Sequence, residues 1–333
     1  MAGIRGERSE PASGDKTELR SALDGWALYG LFVVVAAQKT HFLHRIRMAW
    51  RAGWRYVPGA ALVLALLTPV AGYAHGDVHL RIAAVTEQIA KDPDNARLFL
   101  ERGELHREHQ EWKAAEADYD RAAQLDPKLA VVGFCRAKML ADSGQWPAAR
   151  AKLDGYLAGN PQDAQAFVAR ARVLVKLGER KSAVADFTRG IELSREPQPE
   201  FFLERAQALV ADGEVNEALR GLDEGVKRLG PIVTFQLAAI DLNVAQKNYE
   251  AALARLDTVL SQAARKESWL AKRGDIESLM GRAADARKSY EAAQAALGAL
   301  PLRFQKNQAM LDLRAHLNAA LAGITNAVNE IRR

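Results

Sequence analysis

Alanine recurs at a nearly constant interval through most of this 333-residue chain. Successive alanines stand 34 residues apart, with a single interval of 35, and they are Ala115, Ala149, Ala183, Ala218, Ala252 and Ala286. A large apolar residue follows each alanine four positions later, about one helical turn on. Small residues at helical spacing let a second helix approach closely. A period of this length indicates stacked copies of one helical unit, because an irregular bundle has no reason to keep one residue in phase over six periods.

Each period reads as two amphipathic helices joined by a short turn. In the first period Gly103 is position 8, Ala115 position 20, Tyr119 position 24 and Pro127 position 32. Glycine, which tolerates positive φ, is expected to end the first helix at position 15 of four periods: Gly144, Gly178, Gly213 and Gly281. This pattern closely resembles the tetratricopeptide repeat (TPR) family. The resemblance implies an all-α, right-handed α-solenoid of six helix hairpins over residues 96–300, which begin at Ala96, Ala130, Ala164, Pro199, Val233 and Glu267.

Helical caps are expected at both ends, since the terminal repeats of a solenoid would otherwise expose apolar surface. Residues 75–95 are predicted to form the first cap, with Asp77 as its N-cap residue and an apolar face of Leu80, Ile82, Val85 and Ile89. Residues 301–333 are predicted to form the second.

We expect one continuous terminal helix, Leu302–Arg333, whose heptad stripe from Met310 to Ile331 covers repeat six. In the alternative, the part beyond Gly323, which includes Ile324, overhangs the array and forms a weak homodimer with a second copy.

The first 74 residues differ in character from the repeats. Residues 1–47 are predicted either to be disordered or to come from a start codon assigned too far upstream. The true start is then Met1 or Met48. Residues 48–74 have a basic front, an apolar middle and a small-residue end, as a secretory signal peptide does. The expected location is therefore periplasmic or secreted. In the alternative, residues 57–74 stay uncleaved as a membrane anchor, which would be the only membrane contact.

Composition argues against several classes of function. The net charge is +5, but residues 1–74 hold nine of the 46 basic and five of the 41 acidic residues, so the remainder has a balance of only +1. That balance gives no electrostatic support for a nucleic-acid partner. The single cysteine, Cys135, excludes an intrachain disulfide. No catalytic motif is present, and we predict a non-enzymatic protein without a cofactor or catalytic residues.

The resemblance places a ligand on the first helices of the repeats, at positions 2, 5, 9, 12 and 13. The candidate residues for binding a protein or peptide are Phe134, Lys138, Val168, Arg172, Leu203 and Gln207. Together they suggest an apolar groove with a basic rim, suited to a peptide that carries a carboxylate. In the alternative, Phe134 and the valines only pack between helices. A TPR carboxylate clamp for chaperone tails is not expected, because its five positions hold Leu100, Glu104, Cys135, Gln165 and Ala169.

The predicted function is an exported scaffold or adaptor that holds a protein or peptide in its groove. One alternative is a periplasmic metal-handling protein. It would use His75, which becomes N-terminal if cleavage follows Ala74, together with His79. Another alternative is a subunit of an envelope assembly. The partner's identity does not follow from a fold resemblance.

Overall fold

The computed structural model describes residues 72–331, with side chains described for residues 78–326. This part of the chain contains only helices and no strand. The helices are α1 Gly72–Lys91, α2 Ala96–Glu108, α3 Trp112–Leu125, α4 Val131–Asp142, α5 Trp146–Gly159, α6 Ala164–Lys176, α7 Arg180–Leu193, α8 Pro199–Ala211, α9 Val215–Leu229, α10 Val233–Ala245, α11 Tyr249–Gln262, α12 Glu267–Leu279, α13 Ala283–Gly298, α14 Leu302–Gln305 and α15 Gln308–Ile331.

The helices follow the predicted repeats. Five of the six repeats begin at the first residue of a helix, and in repeat two the helix begins one residue later, at Val131. Helices α2–α13 thus form six consecutive pairs, α2/α3 to α12/α13. The described residues divide into two compact units, 72–214 and 215–331. The predicted all-α repeat fold is confirmed.

The repeated alanines lie in the buried core. All six are 0% exposed. Position 24 is also buried in every repeat, through Tyr119, Leu153, Phe187, Leu222, Leu256 and Tyr290. A larger side chain at position 20 would force its helix away from the neighbouring one, which explains why only alanine occupies it.

Position 15 takes a left-handed backbone conformation in all six repeats. Gly144, Gly178, Gly213 and Gly281 have φ between 73° and 87°, as predicted. The other two repeats reach the same conformation without glycine, at Gln110 (φ 62°) and Lys247 (φ 59°). The turn therefore has one geometry throughout, although its sequence varies.

Two repeats use glycine at position 8 to accommodate a tyrosine at position 24. A Cβ atom on Gly103 would lie 2.7 Å from Tyr119 Cε1, and one on Gly274 would lie 2.5 Å from Tyr290 Cε1. Repeats two and three have alanine at position 8, with leucine or phenylalanine at position 24. In repeats one and six, the missing side chain at position 8 thus makes room for the tyrosine ring.

An arginine at position 7 forms ion pairs within and between repeats. It is present in five repeats, as Arg102, Arg136, Arg170, Arg205 and Arg273. Within its own repeat, Arg102 donates two hydrogen bonds of 2.8 and 2.7 Å to Asp118. Arg170 bonds to Asp186 in the same way, at 2.6 and 2.8 Å. Both aspartates are buried, so removing their arginines would leave unpaired buried charges.

The same arginines also reach position 25 of the preceding repeat. Arg170 bonds to Asp154 at 2.9 Å, and Arg273 bonds to Asp257 at 2.8 Å. Arg102 of repeat one instead donates to Thr86 of α1, at 3.2 Å. Thr86 lies 16 residues before Arg102, just as Asp154 lies 16 residues before Arg170. Helix α1 therefore occupies the place that the second helix of a preceding repeat would have.

Helix α1 packs on α2, but two details of its prediction are wrong. The helix begins at Gly72, so Asp77 lies inside it and is not its N-cap residue. Val85 is buried, and Ile89 packs against the core of repeat one. Leu80 is 73% exposed, because it lies two residues from Ile82 and so points away from that face.

The predicted single terminal helix is also wrong. Pro301 starts the short helix α14, and a break at Lys306–Asn307 separates it from α15. Asn307 causes the break, since its side chain accepts a hydrogen bond of 2.9 Å from the Met310 N–H as an N-cap. Leu313, Leu317 and Ile324 of α15 pack against the core of repeat six. The predicted overhang therefore does not begin at Gly323.

The predicted leader, residues 48–74, lies outside the described residues except for Gly72–Ala74, which belong to α1. Residues 1–47 also lie outside them. Among the helices of residues 72–331, none is long and apolar enough to span a bilayer.

Candidate functional site

A groove of about 480 Å³ lies on the unit formed by residues 72–214. Helices α4 and α6 supply most of its lining, and α2 and α5 complete it. Its floor is apolar and consists of Phe134, Ala137, Ala141, Leu153, Ala169 and Val173. Four cationic side chains line its edge, Arg107, Lys138, Arg172 and Lys176. Apolar lining with a few charged groups is typical of ligand sites, which measure roughly 300–1,000 Å³.

Phe134 belongs both to the core and to the groove. It is half-buried and packs against the core cluster that contains Leu153 and Val173. Its ring stacks on Tyr156 with 5.4 Å between centroids, and Lys138 Nζ lies 5.4 Å from the Phe134 centroid. Phe134 therefore packs between helices and also lines the groove, and its role in binding a partner stays a prediction.

Glu104 holds two of the cationic groups in place. It accepts hydrogen bonds from Lys138 Nζ at 2.5 Å, from the Tyr119 hydroxyl at 2.6 Å and from Arg107 Nε at 3.2 Å. Burial of the Glu104 carboxyl opposes its ionisation, but these hydrogen bonds outweigh burial and lower its pKa. Arg107 also pairs with Asp142. Lys138 and Arg107 are thus fixed in position before any ligand arrives.

The other two cationic groups differ in their surroundings. Arg172 makes a bidentate ion pair with Glu204, at 2.8 and 2.9 Å, and lies 5.9 Å from the Phe201 ring centroid. The Lys176 side chain is exposed and has no ion pair or hydrogen bond with any residue that the structure describes. Lys176 is therefore the charge that an incoming carboxylate can neutralise without first displacing an internal partner.

The structure brings three of the six predicted groove residues together: Phe134, Lys138 and Arg172. Val168 is 0% exposed, so its prediction as a groove residue is wrong. Val168 packs over Gly190, where the missing Cβ leaves room for a methyl group of the valine. The valine side chain is too short to extend past Gly190 to the groove. Leu203 is half-buried and Gln207 is exposed, and both lie outside the groove lining.

Two features of the groove were missed in the sequence. Trp146, the first residue of α5, is 37% exposed and lines the groove, although second helices were not expected to contribute. The Tyr119–Glu104 bond was missed too. Its signal is a glycine–acid pair at positions 8 and 9 with tyrosine at position 24, and it recurs in repeat six, where the Tyr290 hydroxyl bonds to Asp275 at 2.9 Å.

Cys135 lies in the core of repeats one and two as an unreactive thiol. It is 5% exposed. Burial, together with the nearby Glu104 carboxylate, raises the pKa of Cys135 to about 12. At neutral pH the nucleophilic thiolate is therefore scarce.

Of the predicted metal-binding histidines, His79 is exposed on α1. Its ring lies 4.4 Å, centroid to centroid, from the ring of His109. His75 lies one turn earlier in α1, and its side chain is outside the described residues.

Sequence families and solved structures agree on the fold. The chain matches the tetratricopeptide repeat-like domain over residues 198–312 and tetratricopeptide repeat families over residues 73–130 and 164–197. A comparison with curated proteins found no match.

Among solved structures, the C-terminal part of a TPR repeat-containing protein from Cytophaga hutchinsonii is 14% identical with a TM-score of 0.55, over 72% of this chain and 95% of that one. A tetratricopeptide repeat protein from Parabacteroides merdae is 17% identical with a TM-score of 0.44, over 73% and 93% of the two chains. YrrB, described as a TPR protein with an unusual peptide-binding site, is 23% identical with a TM-score of 0.43, over 54% and 91%. With its six helix pairs and these family matches, the chain is a tetratricopeptide repeat protein.

Proposed function

We propose that this protein is a non-enzymatic scaffold that binds an extended segment of a partner protein in the groove of residues 72–214. The observation that supports this proposal is the combination of an apolar floor with four cationic side chains along one groove. A segment with an apolar side chain next to a carboxylate is complementary to both features. The carboxylate belongs to aspartate, glutamate or the partner's C-terminus.

The contacts in the groove suggest how such a segment binds. Its apolar side chain would lie over Phe134 and beside the exposed Trp146, where ring surfaces supply most of the contact area. Its carboxylate would pair first with Lys176. Arg172, whose side chain is 50% exposed, can add a hydrogen bond while it keeps Glu204. Lys138 is held by Glu104, so it contributes mainly long-range attraction.

A peptide library displayed on phage and selected on the full chain tests this function. We expect the enriched peptides to carry an acidic group beside an apolar residue. Affinity for a synthetic copy should fall at least about tenfold in the double variant Lys176→Glu/Arg172→Gln, since the reversed charge at position 176 repels the peptide's carboxylate, and glutamine at position 172 avoids a second carboxylate beside Glu204. Lys138→Glu is a poorer choice, because it would place two carboxylates side by side at Glu104.

The matched control is Arg220→Glu, a charge reversal at an exposed arginine of the other unit. It should bind the peptide as the parent does, and circular dichroism should show equal helicity for all variants. Peptides that bind the double variant as tightly as the parent would place the binding site elsewhere. A selection that enriches no peptide would contradict peptide binding.

We also propose that residues 48–74 direct export to the periplasm or beyond. This rests on the sequence alone, where Arg51 and Arg55 precede the apolar stretch 60–70. N-terminal sequencing of the protein from cells should give a mature chain that begins at His75. A chain that begins at or before Met48 would contradict cleavage, and recovery in the membrane fraction would favour the anchor.

A further inference from the structure

Three side chains with metal-ligand chemistry meet where α1 passes the turn between α2 and α3. His79 belongs to α1, and His109 and Glu111 stand on either side of Gln110 in the turn. One ligand atom from each lies within 4.8 Å of the other two. The cluster lies outside the groove, and the proposed peptide binding does not use it.

The turn fixes two of these side chains at a spacing that suits coordination. Gln110 is left-handed, and the Glu111 N–H donates to the His106 carbonyl at 2.8 Å, so the backbone is held tightly there. His109 Nδ1 lies 3.0 Å from Glu111 Oε1. Two ligands of a tetrahedral zinc ion stand about 3.3 Å apart, given bond lengths of roughly 2.0–2.1 Å. Very little movement would bring both atoms into one coordination shell.

The second carboxylate oxygen of Glu111 has a partner of its own. Glu111 Oε2 lies 2.5 Å from His106 Nδ1, and His106 Nε2 lies 3.8 Å from Asp118 Oδ2. Asp118 is held in turn by Arg102. Metal ligands are usually oriented by such outer partners, and His106 holds the Glu111 oxygen that does not contact His109.

His79 supplies the third ligand from a different element. Its ring meets the His109 ring edge-on, with 67° between the planes. Because the His79 side chain is exposed, a change of rotamer can bring its nitrogen closer to the other two ligand atoms at small cost. Two imidazoles and one carboxylate suit zinc, copper and nickel, whereas magnesium and calcium prefer a shell of oxygens.

We propose that His79, His109 and Glu111 form a site for a divalent transition metal of the zinc type. Three protein ligands leave a fourth position for water or for a group of another molecule. A bound ion would tie α1 to the first repeat, because its ligands come from α1 and from the α2–α3 turn. The site differs from the predicted pair of His75 and His79, since it draws its other ligands from the turn.

Calorimetric titration of the full chain, freed of metal with a chelator, tests the site with zinc chloride as the probe. The parent should show one saturable site that is lost or weakened at least about tenfold in His79→Gln and in His109→Gln. Zinc should also raise the melting temperature of the parent, and do so less in these variants. His316→Gln is the matched control, because His316 is a partly exposed histidine of the other unit that pairs with Asp275.

The variants separate this site from histidines elsewhere in the chain. His41 and His44 are present in every variant, so any zinc that they bind cancels in the comparison. A His75→Gln variant separates the proposed site from the predicted pair of His75 and His79, because it should keep the affinity of the parent. Equal affinity and stoichiometry in the parent, His79→Gln and His316→Gln would overturn the proposal, and so would the absence of saturable binding in the parent. If His109→Gln lowers the helicity, the exposed His79→Gln and His75→Gln decide the question together.

Discussion

Two residues adopt a backbone conformation for which they are poorly suited. Gln110 and Lys247 have φ near 60° at the turn position where the other four repeats carry glycine. A left-handed conformation costs a residue with a side chain about 1–2 kcal/mol. The sequence predicted the four glycine turns. It did not predict that the other two have the same geometry, because packing of the neighbouring helices, and not the local residue, determines it there.

Lys247→Gly should therefore stabilise the protein. We expect a gain of about 0.5–1 kcal/mol, which is the relief of the left-handed strain less the larger chain entropy of glycine in the unfolded state. Urea denaturation measures the change. Lys227→Gly, at an exposed site within α9, is the control and should lose about 1 kcal/mol. If both variants lose stability equally, the turn at Lys247 is not strained.

The contact between positions 8 and 24 gives a second test at the residue scale. Gly274→Ala should destabilise the protein by about 1–3 kcal/mol, because the new Cβ would lie 2.5 Å from the Tyr290 ring. Adding Tyr290→Leu should recover part of the loss, since Ala137–Leu153 is the pair that repeat two already uses. A double-mutant cycle measures the coupling. Additive effects would mean that the two side chains do not share this space.

Among the helices, the break before α15 shows how a cap overrides a periodic pattern. The heptad stripe from Met310 onward predicted the helix correctly, but the same stripe gave no sign that the helix begins at Gln308. Asn307 is a common N-cap residue, and it stands just before the stripe. The sequence therefore contained the signal for the start of α15, which is Asn307. It was missed because one long capping helix was expected.

Asn307→Ala should cost about 1 kcal/mol, because the Met310 N–H would lose its side-chain partner. Thermal unfolding followed by circular dichroism measures the loss. Asn326→Ala, at an exposed site inside α15, is the control and should be neutral or slightly stabilising, since alanine is the better helix former. Equal melting temperatures for Asn307→Ala and the parent would show that the cap is not needed.

Across residues 72–331, the period predicted the helices and the buried positions 20 and 24, but only three of the six predicted groove residues line the groove. Volume rules, such as alanine at position 20, repeat in every copy, so they can be read from one sequence. Groove positions do not repeat in this way. Phe134 and Val168 both hold position 5, yet Phe134 reaches the groove while Val168 is buried over Gly190. Two factors cause the difference: phenylalanine is longer than valine, and Gly190 of the neighbouring helix leaves room for Val168 in the core.

The stability of the protein should fall in acid partly through Glu104. Its pKa is lowered on folding, so it contributes stability that is complete above its unfolded value, near 4.5, and is lost as the pH falls through its folded pKa. Glu104→Gln should therefore show a smaller drop in melting temperature between pH 7 and pH 3 than the parent. Glu291→Gln, at an exposed glutamate, is the control. Identical drops for Glu104→Gln and the parent would contradict the role of Glu104.

The pairing of position 25 with position 7 determines which repeats can be copied in tandem. Duplicating residues 130–163 would set a copy of Asp154 before a copy of Arg136, so the new junction would have an ion pair of the existing kind. Duplicating repeat five would set Asp257 before Ala239, and that junction would have no arginine. Duplication of repeat two in an ancestral gene would therefore have cost less stability than duplication of repeat five.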